Sequence, residues 1–356
     1  MARYKADAWQ GKQIFIGIDL HRSFWHVSIV SEDDLVLYSD RVASQWAALK
    51  RVLCRFREAS ALYACYEAGY FGYWLCDALE AYGVGVSVTP PTLIPSTTGN
   101  RVKTDKNDSM KLARFLQKGL LKSIYVPTPE ERVHRQVSRR RRQLIQDRVR
   151  EQNRIKAFLR FYGIEIARES RGCWTQTFVD HLRCLRFDQA CLFESFSSML
   201  DHYDFLESQI RIQTQQLRDM SRSETYESRV EILCSIPGIG WLSAMEILLE
   251  LQDISRFQRA EELAAYVGLT PSQYSSGEHV RMGRITRQGK KQVRTVLLQA
   301  SWRIIRKDPV LQDVYNRIKV RSGSKRAIVA VAHKLLIRAR RLLLSGQRYE
   351  LGVVAG

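Results

Sequence analysis

Two short stretches carry residue types whose spacing suits chemistry. In RVKTDKNDSMK (101–111), Asp105 and Asp108 stand three apart; in SQYSSGEHVRMGRITRQGKKQVR (272–294), Ser275 and Ser276 stand beside Gly277. Carboxylates at i and i+3 share one face of a helix, which is half of a metal site. A serine before a glycine, followed by a dense basic run, suits a nucleophile embedded in a phosphate-binding surface. A chain that needs both is expected to cut and rejoin nucleic acid.

Two further acids belong with the first pair. In IFIGIDL (14–20), Ile14, Ile16 and Ile18 fall on one face of a strand and Phe15, Gly17 and Asp19 on the other. A carboxylate on so apolar a strand is costly unless it is paired or bound to a metal. Glu67 ends a second apolar run, ALYACYEA (61–68). If the two strands are neighbours, Asp19, Glu67, Asp105 and Asp108 converge, and four carboxylates suit a pair of Mg²⁺ or Mn²⁺ ions. Taken singly, Asp105 would be an ordinary acid at a helix N-terminus and Asp108 a solvated one. Lys103 and Lys106 flank the pair and suit phosphate approach, as solvated lysines also would.

The serine segment is punctuated by Gly268, Gly277, Gly283 and Gly289, so it is expected to be loop-rich until about Lys290. Arg281, Arg284, Arg287, Lys290, Lys291 and Arg294 can neutralise a phosphate and stabilise a pentavalent transition state. His279 is the nearest imidazole. Ser-Ser-Gly is also a common loop tripeptide, and an arginine run can be a binding face alone.

Upstream, Ser235-Ile-Pro-Gly-Ile-Gly240 lies between two helical patterns and fits a helix-hairpin-helix. Gly238 and Gly240 would let the turn approach a nucleic-acid backbone, and the following helix would offer N–H groups to phosphate without reading sequence. A plain connection between two packed helices would read similarly.

These pieces need a scaffold. The order across residues 12–130 is three strands, a helix, a strand, a helix, a strand and a helix, the order of an α/β ribonuclease-H-like (RuvC-like) domain. Residues 131–225 read as two long helices, an antiparallel hairpin or a coiled-coil oligomer segment. Residues 226–345 form a mostly α unit, and 346–356 a short tail.

The formal charge is +19, concentrated in two blocks. Residues 131–160 carry eleven Lys/Arg against three acids, and residues 278–345 eighteen against three. Such localised charge is the footprint of nucleic-acid binding, and Arg139, Arg140, Arg141 and Arg142 suit a backbone contact along the first long helix. The basic stretches lack the apolar face of a membrane-surface helix, and no run is long enough to span a bilayer. The N-terminus lacks a signal peptide's apolar region, so a cytoplasmic protein is expected. Seven cysteines with no CxxC pair are expected to be reduced and mostly buried.

The motifs GIDLH (17–21), YEAGYFGYWL (66–75), KTDKNDSMKLA (103–113) and GLTPSQYSSG (268–277), in that order, make the chain resemble the DEDD transposases of the insertion-sequence 110/1111 group, which are related to Piv-type DNA invertases. The resemblance covers about residues 12–345. It implies a RuvC-like domain joined by a coiled-coil segment to a serine-bearing transposase domain, with Asp19, Glu67, Asp105 and Asp108 as the metal-binding acids and Ser276 as the nucleophile (Ser275 the runner-up). It further implies a bridge-RNA-guided recombinase working in the bacterial cytoplasm, at the nucleoid. Its partners would be donor and target double-stranded DNA, a structured noncoding RNA and other copies of itself, as a dimer or a synaptic tetramer. Two alternatives stay open: a RuvC-type nuclease that hydrolyses DNA with the acids alone, and a non-catalytic nucleic-acid-binding protein.

Overall fold

The computed structural model describes residues 9–95, 104–164, 174–276, 279–286 and 288–352, with 274–276 and 279–282 described by their backbone alone. It divides into two compact units, residues 1–126 and 127–356.

The first unit is a mixed sheet with helices on both faces. Its elements are β1 (Gln13–Leu20), β2 (Phe24–Ser31), β3 (Val36–Ala43), α1 (Trp46–Leu53), β4 (Ala61–Glu67), α2 (Trp74–Ala81), β5 (Gly85–Thr89) and α3 (Asp105–Gln117). The strand order is β3-β2-β1-β4-β5. β1 pairs antiparallel with β2 and parallel with β4, and β4 parallel with β5. Period-2 alternation then decides which residues meet which helix. Ile14, Ile16, Ile18, Val27, Ala64 and Val88 enter one core together with Leu49 and Leu53 of α1 and Leu75 and Leu79 of α2. Gly17 and Asp19 face α3, on the opposite side.

α3 is held against that second face by a polar seam. His26 Nδ1 and Ser28 Oγ each lie 2.8 Å from Ser109 Oγ, and Ser28 Oγ lies 3.0 Å from Ser39 Oγ. All of these except Ser39 are buried. Contact is closest at Gly17, where a Cβ would stand 1.9 Å from the Ser109 carbonyl oxygen and 2.5 Å from the Ala113 nitrogen. Only glycine lets this strand and helix meet.

The second unit is mostly helical: α4 (Pro129–Phe161), α5 (Gln176–Cys184), α6 (Ala190–Ser221), α7 (Glu227–Cys234), α8 (Trp241–Leu251), α9 (Ala260–Val267), β6 (Pro271–Ser276), β7 (His279–Ile285), α10 (Lys291–Ile304), α11 (Pro309–Ser322) and α12 (Ser324–Ser345). The 33-residue α4 starts at a capping box. Thr128 Oγ1 accepts from the Glu131 N–H, and the Thr128 N–H donates to the Glu131 carboxylate. α4 ends before Gly163, whose φ is +67°. α4 and α6 run antiparallel: Arg141 donates to Thr214 and Arg148 to Glu207, while Ile155 and Leu159 share a core with Phe196, Leu200 and Tyr203. A separate, larger core joins α7–α12.

Two expectations are corrected. The serine segment is an antiparallel hairpin, not a loop, over 271–276 and 279–285. Tyr274, Val280 and Ile285 are strand-favouring residues whose ladder outweighs the glycines between them. The six described cysteines are free, but Cys184, Cys191 and Cys234 are exposed, and only Cys65 and Cys76 are fully buried.

Candidate functional site

The acids gather where β1 ends and α3 begins. Thr104 caps α3 by accepting from the Asn107 N–H at 3.3 Å, which fixes Asp105 and Asp108 in the first turn. That turn lies over the end of β1 because Gly17 admits the helix. His21 Nε2 lies 3.1 Å from Asp19 Oδ2 and 3.4 Å from Asp105 Oδ1. Arg41, which also stacks over Phe24, reaches Asp105 at 3.4 Å. Ligand atoms of Asp19, His21 and Asp105 lie within 4.8 Å of one another.

Burial raises the Asp19 pKa above the ordinary carboxylate value; His21 offsets part of this, and the charges of Asp108 and Asp105 add to it. A divalent cation would relieve both the burial penalty and the repulsion, so the donor set fits one. Asp108 acts on Asp19 through charge but lies outside the 4.8 Å group, as does Glu67. Glu67 is exposed at the end of β4, and the register Ile18↔Tyr66 brings it level with Asp19 on the neighbouring strand. Lys106 is exposed on α3; Lys103 and Arg287 lie outside the described residues. Sequence reasoning missed His21 as a member of the site. Its signal was available: it stands two residues beyond Asp19, just past the end of β1.

Ser276 ends β6 and pairs in register with His279, and Ser275 pairs with Val280. The base of this hairpin is tightly locked. At Gly268 (φ +79°) a Cβ would stand 2.0 Å from the Gln288 carbonyl oxygen; at Gly289 (φ +98°) it would stand 2.1 Å from that of Tyr266. Arg294 is buried and donates to the Val267 carbonyl at 2.6 Å. Its guanidinium clamps the backbone, so it is not available to phosphate as the sequence led us to expect. Arg284 and Lys291 are exposed. Arg281 lies in β7 opposite Tyr274.

The four-arginine run also divides. Arg139 donates to both oxygens of the fully buried Glu250, at 3.0 and 3.1 Å. Lys290 reaches the same carboxylate at 3.3 Å. Burial alone would raise the Glu250 pKa, but these cations hold it below its ordinary value. Arg141 approaches Glu246 at 3.7 Å, and Arg142, beside it, is half-buried. Burial lowers the pKa of both arginines. Arg140 alone in the run is exposed. Two of the four arginines, Arg139 and Arg141, thus tie α4 to α8.

The turn between α7 and α8 places Gly238 at φ +96°, and Gly240 is the N-cap of α8. Among the described residues, no helix is long and apolar enough to cross a membrane.

Comparison with known proteins agrees with this layout. A DEDD-type family model for IS110 elements, described as Transposase, matches residues 16–164, and one described as Transposase IS116/IS110/IS902 family matches residues 230–316. The transposase for insertion sequence element IS1533 of Leptospira borgpetersenii is 26% identical, over 69% of this chain and 72% of its own. The transposase for IS1111A of Coxiella burnetii is 24% identical, over 95% and 91%. The pilin gene-inverting protein of Moraxella lacunata is 27% identical, over 70% of each chain. With an acid-bearing sheet matched by the first model and a serine-bearing unit matched by the second, the chain belongs to the IS110-type insertion-sequence transposases, a family that binds DNA, cleaves it and transfers strands.

Proposed function

We propose that this transposase is a bridge-RNA-guided recombinase that joins donor to target DNA through a serine nucleophile, Ser276, with the acids Asp19, Glu67, Asp105 and Asp108 holding Mg²⁺ or Mn²⁺. The observation that carries this reading is the convergence of Asp19 and Asp105 on one imidazole within a unit matched by the DEDD-type model. The strand order, with one antiparallel hairpin edge and a parallel half, supports a RuvC-like assignment for residues 12–130. The turn at Gly238 and Gly240 supports a helix-hairpin-helix, and the α4–α6 hairpin supports a coiled-coil segment that assembles copies of the chain.

In this reading, Ser276 Oγ loses its proton to solvent as it attacks a scissile phosphorus, and the 3′ oxygen leaves and takes up a proton as a 3′ hydroxyl, giving a covalent protein–DNA phosphodiester. Strand transfer reverses the step with a 3′ hydroxyl from the other DNA. The divalent ion supplies charge stabilisation for the developing oxyanions. Lys106, Arg140, Arg284 and Lys291 neutralise phosphates, and Arg281 is assigned the same role from its place in the basic run. Guide pairing chooses sequence, so the protein itself reads few bases.

A second reading, hydrolysis of DNA by the acids alone, is favoured by one observation: the first unit gathers its acids with its own residues. Trapping a protein–DNA adduct separates the two. Purified protein, element-derived RNA, Mg²⁺ and labelled donor and target DNA are mixed, denatured and resolved on a gel. An adduct lost in Ser276→Ala and retained in Ser275→Ala supports serine recombination. Cleavage without an adduct, undiminished in Ser276→Ala, would leave the metal-only nuclease.

A further inference from the structure

Two elements far apart in sequence form one basic groove in the second unit. Pro237, Gly238, Ile239 and Gly240 make one wall; Gln299, Arg303, Arg306 and Lys307, at the end of α10 and just beyond it, make the other. The walls meet because Gly238 has no side chain: a Cβ there would stand 2.8 Å from Arg303 Cβ and 3.0 Å from the Ala300 carbonyl oxygen. The groove has a volume of about 790 Å³. One water's share of liquid volume is about 30 Å³, so the groove has room for an extended ligand.

Its charge is one-sided. Arg303, Arg306 and Lys307 are exposed, and none makes a side-chain ion pair or hydrogen bond among the described residues. No acid lines the groove. The nearest acid in sequence, Asp308, is buried and taken up by Arg338 at 3.1 Å and by the Tyr349 hydroxyl. This contrasts with Arg139, Arg141 and Arg294, whose guanidinium groups serve the fold. α8 also begins at this groove with no side-chain cap, so its first N–H groups add to the positive potential.

We propose that this groove seats the phosphodiester backbone of a nucleic-acid duplex, with Arg303, Arg306 and Lys307 as its phosphate contacts. Three uncompensated cations on a concave wall bind backbone charge and carry no base-reading arrangement. The site thus anchors a duplex irrespective of sequence. The inference rests on the nucleic-acid reading above, but needs neither the serine nor the metal.

The test is the salt dependence of binding, measured by fluorescence anisotropy with the full chain, without Mg²⁺ or guide. Random-sequence DNA and RNA duplexes are used in separate arms. The variant Arg303→Ala/Arg306→Ala/Lys307→Ala is compared with a control of equal charge loss on exposed residues elsewhere, Arg321→Ala/Lys325→Ala/Arg326→Ala. Each phosphate contact contributes about 0.9 to the slope of log K against log salt on B-form DNA. The groove variant is therefore expected to lower the slope by about 2 to 3, the control much less, with thermal unfolding unchanged in both. A drop in only one arm identifies which duplex the groove holds. An unchanged slope in both arms, or an equal drop in the control, overturns the inference. Wild-type protein that binds neither duplex would overturn the nucleic-acid reading with it.

Discussion

Gly17 and Ser109 are in backbone contact: the helix carrying Asp105 and Asp108 rests directly on the strand carrying Asp19, with no room for one methyl group between them. The separation of the acids is therefore set by a glycine two residues before the first of them. Gly17→Ala is expected to push α3 off the sheet at a cost in the overpacking range of about 1–3 kcal/mol. With the acids holding Mn²⁺ as proposed, it should also abolish the rise in melting temperature expected of the wild type on adding Mn²⁺. Thermal unfolding with and without Mn²⁺ measures both; an unchanged Mn²⁺ response would sever the link between this contact and the proposed metal site.

Asp19→Asn removes a carboxylate whose ionised form is opposed by burial and by the charges of Asp108 and Asp105, and favoured by His21. The metal-free variant is expected to be at least as stable as wild type, since the part-buried His21 contact it loses is offset by relief of the burial penalty and of the repulsion from Asp105 and Asp108. Stabilisation by Mn²⁺, which scales with the logarithm of ligand over its dissociation constant, should vanish along with strand cleavage. Retained cleavage would remove Asp19 from the chemistry.

Glu250→Ala leaves Arg139 and Lys290 without their shared partner. Breaking a buried ion pair costs about 3–5 kcal/mol, and the partial exposure of Arg139 argues for the lower end. The pH dependence has a definite sign. A carboxylate held below its ordinary pKa stabilises the fold above that ordinary value and loses this contribution as pH falls toward the folded value. The urea midpoint of wild type should therefore fall as pH drops through that acid window, and Glu250→Gln should flatten this component. Equal pH profiles in the two proteins would contradict it.

Within the arginine run, Arg140→Ala and Arg139→Ala should part company. The exposed Arg140 is expected to weaken duplex binding and reduce its salt slope by about 1 while leaving the urea midpoint unchanged. Arg139, tied to Glu250, should lower the midpoint and leave the slope nearly intact. Reversed outcomes would mean the run faces outward.

Much of the first unit was legible in the sequence. Its strands alternate, Thr104 announces the start of α3, and Asp19 stands out on an apolar strand. What escaped was tertiary. Which way Arg139 or Arg294 points depends on Glu250 and on the Val267 carbonyl, each far away along the chain. The serine hairpin was hidden because glycines that read as loop punctuation are, at positions 268 and 289, sites of close backbone approach at its base. His21 was visible as part of a motif, but its position between two acids needed α3 to be docked.

The lock beneath the serine hairpin has a practical meaning for anyone wishing to re-engineer it. Tyr266, Gly268, Gln288, Gly289 and Arg294 form a socket whose integrity depends on backbone contacts and one guanidinium. Strands β6 and β7 emerge from that socket and pair with each other. Exchange of β6 and β7 with Ser276 retained is accordingly expected to leave the fold intact so long as the socket residues are kept.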